Sequence, residues 1–144
     1  MLRPFSKTSA LAAAVLLTGC AGAPEGVPQP EYVQKPFTAD VNAVRALVTP
    51  ETNGRTVGEV MQAYPDCEAP SRLWEELEPG SVEFSCRLKT GGLLQFYFKV
   101  EAGAARLDSV VFTTMPDAEF AGISLRNDDA REALRNVTHG RAPA

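Results

Sequence analysis

Between Val82 and Val100 apolar residues recur at every second position, in two runs separated by a glycine pair. "VEFSCRL" sets Val82, Phe84, Cys86 and Leu88 on one side and Glu83, Ser85 and Arg87 on the other. "LLQFYFKV" repeats this with Leu94, Phe96, Phe98 and Val100 against Gln95, Tyr97 and Lys99. A period of two belongs to a strand, whose successive side chains leave opposite faces of the sheet. "SRLWEEL" is an earlier run, with Trp74 on one face and Leu73 and Leu77 on the other. It joins "VEFSCRL" through Pro79-Gly80, a suitable centre for a type II turn. "ARLDSVVFTT", reached through "EAGA", reads as the last strand. The expectation is an antiparallel meander of three to four strands with one buried face.

Helical spacing precedes the meander. "TADVNAVRALV" carries Val41, Val44, Leu47 and Val48 on one side, with Thr38 or Asp40 as the cap. "TPETNG" ends it. In "TVGEVMQAYPDC", Thr56 and Glu59 have the spacing of a capping box, and Val57, Val60, Met61 and Tyr64 form one apolar stripe. Pro65 stops that helix. Near the other end "NDDAREALRNV" reads as a short capped helix, and residues 138–144, "THGRAPA", as a loose tail. The fold class is α+β, with two N-terminal helices packed on the meander and one domain over residues 38–137.

Residues 1–19 have the layout of an export signal. Arg3 and Lys7 precede "SALAAAVLL", an apolar core too short to cross a bilayer as a helix, which takes about 20 apolar residues. Leu17-Thr18-Gly19-Cys20 follows, with small residues that fit an extended chain into a peptidase groove. This resembles the bacterial lipoprotein signal, in which the cysteine sulfur is diacylated and cleavage leaves that residue as the new N-terminus. The resemblance makes Cys20 the lipidation site, and two or more acyl chains give stable attachment where one does not. Ala21 stands where an aspartate would resemble an inner-membrane retention signal. The implied place is the periplasmic face of an outer membrane, given a Gram-negative source. The segment after Cys20, "AGAPEGVPQPEYVQKP", carries Pro24, Pro28, Pro30 and Pro36 and no apolar period. Residues 20–37 therefore read as an extended tether, reaching about 3.1 Å per residue.

Charge excludes one class of partner. The whole chain carries −4; without Arg3 and Lys7, 12 Lys and Arg face 18 Asp and Glu, a balance of −6. Nucleic-acid phosphates demand clustered cations, so no nucleic acid is expected. Cys67 and Cys86 remain once Cys20 is acylated. In an exported chain their default is a disulfide, closing a loop of about 20 residues worth roughly 3 kcal/mol by chain entropy. Two buried thiols or a redox couple are the alternatives, although redox pairs usually sit as C-x-x-C.

Catalytic signatures are sparse. The sole imidazole, His139, lies in the expected tail, and no nucleotide-binding or zinc-protease motif occurs. Glu75 and Glu76 leave opposite faces of a strand, so they cannot flank one bond as glycosidase acids do. Asp128-Asp129 suits a helix N-terminus, where carboxylates complement the dipole. Asn136-Val137-Thr138 matches a glycosylation acceptor, which in a bacterial lipoprotein carries no implication. The reading is non-catalytic, with no metal and no cofactor. Trp74 and Tyr97 are the candidate interface anchors; the blander reading buries Trp74 in the core beneath the C-terminal segment.

The order of helix, helix and antiparallel strands on a lipidated chain resembles the SmpA/OmlA (BamE-like) outer-membrane lipoproteins. The matching parts are "TVGEVMQAYPD", placed like that family's second helix, the aromatic strand at Trp74, and "LLQFYFKVEAGAARLDSVVF", which looks like its closing hairpin. The layout is also similar to small envelope proteins with one α-plus-β-meander domain. The resemblance implies a binding or scaffolding module without catalysis. "VEFSCRLKTGGLLQFYF" is similar to the first hairpin of membrane-bound C-type lysozyme inhibitors. Three functions are therefore carried forward: a lipid-anchored interaction module with an envelope protein partner, a small-ligand binder, and an inhibitor of a secreted enzyme such as lysozyme.

Overall fold

The computed structural model describes residues 32–113 and 122–144. The expected signal segment 1–19, the expected lipidation site Cys20 and the expected tether as far as residue 31 lie outside the described residues. The described chain is α+β, with three helices on a five-stranded antiparallel sheet.

Local chemistry accounts for the helices. The first, α1, spans Ala39–Arg45 and starts where Thr38 Oγ1 accepts the Val41 N–H. Val41 and Val44 are buried, whereas Val48 lies beyond the helix and is exposed. The second, α2, spans Val57–Ala63 and has the expected reciprocal cap. The Thr56 N–H donates to Glu59 Oε2 at 2.9 Å, and the Glu59 N–H donates to Thr56 Oγ1 at 3.1 Å. Val57, Val60, Met61 and Tyr64 all reach the core. The two helices touch at Gly58, where a Cβ would stand 3.0 Å from the Arg45 carbonyl oxygen.

The sheet runs in simple order: β1 (Leu73–Glu78), β2 (Ser81–Arg87), β3 (Leu93–Glu101), β4 (Ala104–Phe112) and β5 (Ile123–Arg126). Gly80 turns the first hairpin at φ +81°, and a Cβ there would come within 2.9 Å of the Val100 carbonyl oxygen. Only glycine holds both that dihedral and that approach without strain. Trp74, Phe84, Phe96 and Val110 are in register across four strands and build the inner face. The helices bury that face: α1 lies over β1 to β4, and α3 (Asn127–Thr138) lies over β4 and β5. In α3, Ala130, Ala133, Leu134 and Val137 point into the same core.

Two expectations change. The meander has a fifth strand after the run taken as last, so the count of three to four is one short. "ISLR" is only four residues long with half-exposed or exposed side chains, and its pairing with Ser109–Phe112 comes from the neighbour rather than from any period of its own. Residues 138–144 are not a loose tail either. Thr138 belongs to α3, the Tyr64 hydroxyl donates to the Arg141 carbonyl at 3.0 Å, and Pro143 is buried. The capture depends on a phenol 77 residues away, which no local pattern reveals.

Candidate interaction site

Cys67 and Cys86 form a disulfide with Cα atoms 5.6 Å apart. Cys67 follows α2, and residues 66–68 run antiparallel to the continuation of β2. The Glu68 N–H donates to Arg87 O and the Lys89 N–H to Asp66 O, each at 2.8 Å. Arg72 adds donations to the carbonyls of Tyr64 and Cys67. The bridge therefore fastens the end of the helical pair to the sheet. Both sulfurs are in the core, in keeping with a structural bond.

The two aromatics singled out as anchors part company. Trp74 is 8% exposed and packs on Phe84, with ring centroids 4.9 Å apart, and on Phe98 at 6.3 Å. Its ring is a core side chain. β1, the strand that carries it, packs against α1. Tyr97 leaves the outer face, half-buried between Glu83 of β2 and Ser109 of β4. Burial first and the Glu83 carboxylate second push its phenol up to about 12. The row continues from Ser109 to Arg126 on β5. Among the described residues no helix packs on this outer face.

At Arg126 the outer face meets a cleft that sequence reading did not isolate. It holds about 370 Å³ and is lined by Arg106, Leu107 and Asp108 of β4, by Arg126 and Asn127 at the β5–α3 junction, and by Arg131 of α3. Arg106 lies 3.7 Å from Glu101 and 3.9 Å from Asp108, and Arg131 pairs with Asp128. These pairs are loose in energy, because Arg106 and Arg131 are 61% and 57% exposed. Among the described residues Arg126 has no ion-pair partner. The lining thus holds three guanidinium groups and one carboxylate in a chain whose overall sign is negative.

A second trough of about 330 Å³ shares Arg106, Leu107 and Arg131 with the first. Leu47, Pro50, Ala105 and Leu134 give it an apolar wall. Glu51, which also lines it, faces Arg135 at 4.0 Å. Both troughs border a stretch of β4 that, among the described residues, has no second strand beside it: β3 pairs with residues 104–112, but β5 pairs only with 109–112. A register shift at Asp108 separates the two stretches. Such a site offers guanidinium donors for carboxylates, apolar contact and free main-chain groups, a set suited to recognition.

Elsewhere, a groove of about 440 Å³ between α1 and α2 is lined by mixed polar residues, including Asn42, Arg45 and Gln62. Among the described residues no three His, Cys, Asp or Glu side chains converge as metal ligands would, and no helix is long and apolar enough to cross a membrane. Comparison with protein-family models, with curated proteins and with solved structures returns no match.

Proposed function

We propose that this chain is a lipid-anchored, non-catalytic interaction module of the bacterial envelope, held by acyl chains on Cys20 at the periplasmic face of the outer membrane. The observation that carries the interaction half is the arginine-lined cleft of Arg106, Arg126 and Arg131 beside an apolar trough and an unpartnered strand edge. Three elements close in space supply those cations to an otherwise acidic chain. The "LTGC" context of Cys20 and the BamE-like resemblance of "TVGEVMQAYPD" support the anchored half. The disulfide agrees with an oxidising compartment.

Two paired measurements test the reading. Incorporation of an alkyne-tagged palmitate, followed by membrane flotation, is expected for the native chain and lost in Cys20→Ser. Equal labelling of both forms overturns the anchor. For the interaction half, a photo-crosslinking residue at Leu107 is expected to trap one envelope protein in near-stoichiometric yield, whereas the same residue at exposed Val33 does not. Equal trapping from both positions overturns the cleft as the contact surface.

A further inference from the structure

We infer that the β4 edge from Ala104 to Asp108 accepts an extended segment of a partner protein as an added strand. Its acidic side chains meet Arg106, Arg126 and Arg131, and its apolar side chains enter the trough beside Leu47, Pro50 and Leu107. The inference rests on the reading of the domain as an interaction module and names the chemistry of its partner.

Register is the first argument. β5 ends at Arg126 opposite Ser109, so β4 continues for five residues with strand pairing on one side only. Apart from the ladder to β3, no main-chain hydrogen bond among the described residues reaches that stretch. Unpaired strand groups are the template on which extended peptides add, with alternate side chains reading the pockets beside them.

Shape is the second. A small molecule is usually held with most of its surface buried. The two troughs are instead half open to solvent and adjoin one another through Arg106, Leu107 and Arg131, which line both. A polypeptide brings its own flanking surface and fills such a site where a free small molecule would stay largely wet. Charge is the third. Arg126 has no ion-pair partner among the described residues, and the planar fork of guanidinium matches carboxylates two bonds at a time. Alternation along an added strand then places carboxylates toward the arginines and apolar groups toward Leu47 and Leu107.

Edges are also blunted by charge and by bulges to prevent association, and Arg106 with the shift at Asp108 fits that description. Protection of the edge by charge does not account for the partly exposed apolar surface of Leu47, Pro50 and Leu107 beside it.

The test is selection of a random phage-displayed peptide library on the full chain carrying Cys20→Ser, which removes acylation as a variable. Expected is enrichment of sequences alternating Asp or Glu with apolar residues. Synthetic peptides from that pool should bind roughly tenfold or more weakly to Arg126→Glu and Arg131→Glu, and more weakly as salt rises. Matching thermal unfolding of the variants shows that they fold. No enrichment, or enriched peptides indifferent to both substitutions, overturns the inference and leaves the palmitate result untouched. Amide shifts at Leu107 and Leu134 with decanoate, in the absence of any selected peptide, would also overturn it in favour of a small amphiphile.

Discussion

The side-chain amide of Gln34 brackets the main chain of Trp74: Nε2 donates to the Trp74 carbonyl at 2.8 Å, and Oε1 accepts the Trp74 N–H at 2.8 Å. One side chain thereby does for β1 what a sixth strand would do, occupying both groups of an edge residue whose ring sits in the core. Lys35 reinforces the contact at 3.5 Å from Glu75, an exposed pair of little weight. Gln34→Ala is expected to cost about 1–2 kcal/mol, two net hydrogen bonds' worth, and to speed exchange of the Trp74 amide. Gln34→Glu keeps the acceptor and loses the donor, so it should fall between the two. Exchange rates by NMR decide; an unchanged Trp74 rate in Gln34→Ala would show that the bracket is ornamental.

Removing the Cys67–Cys86 bridge is expected to lower stability by about 3 kcal/mol through loop entropy. The loss should appear in chemical denaturation of the Cys67→Ser, Cys86→Ser double variant. The bond sits among buried neighbours, so reduction of the native protein should proceed only as it unfolds.

The Tyr64 hydroxyl lies 3.1 Å from Asp66 Oδ2 and 3.0 Å from the Arg141 carbonyl, two acceptors that share its single proton. Burial and the nearby Asp66 carboxylate hold this phenol well above the usual range. Tyr97 is pushed to about 12 by burial and by Glu83. A raised phenol favours the neutral form in the folded state. Its contribution is intact below the ordinary phenol range and is lost as pH climbs through the folded value. Tyr97 ionisation followed by phenolate absorbance should therefore centre near 12, with unfolding accompanying ionisation of Tyr64. Tyr64→Phe should cost about 1–2 kcal/mol and release residues 141–144, read as faster exchange at Arg141.

Glu76 lies on the inner-facing side of β1 opposite Val82, close to the start of α1. Its carboxyl is raised above the ordinary range, first by sharing a hydrogen bond with Asp40, then by desolvation and by the Asp40 charge. Asp40 itself accepts the Gly80 N–H at 2.9 Å. Protonated Glu76 is the form the fold prefers, so its contribution is present at low pH and lost as pH rises through the folded value. Glu76→Gln should be more stable than the native chain at neutral pH, and the gap should close on acidification through the carboxylate range. Thermal melts across pH check it; a gap that widens with acid would reverse the sign.

Much of the frame is legible from residues alone because it is written in local periods. The alternation from Val82 to Val100 became β2 and β3 with Val82, Phe84, Cys86, Leu94, Phe96, Phe98 and Val100 buried. The Thr56–Glu59 box also formed as read. The fifth strand and the docked C-terminus were not legible, since each is held by distant partners: Ser109–Phe112 for β5, Tyr64 for Arg141. The cleft was hidden for the same reason. Arg106, Arg126 and Arg131 are dispersed in sequence, in windows where each looks like ordinary solvated charge, and only the pairing of β5 with β4 gathers them.

Gln34, near the N-terminal end of the described residues, is fastened to the β1 edge. Arg106 and Arg126 stand at the opposite margin, three to four strand spacings away, roughly 14–19 Å. The N-terminal entry to the described domain and the proposed landing site thus occupy opposite flanks of one sheet. On the proposed reading, a partner strand at β4 would not compete with the N-terminal segment for an edge. A pull on one flank with a guest seated on the other would then load the inter-strand hydrogen bonds across their full width, so that one sheet would serve both recognition and tension.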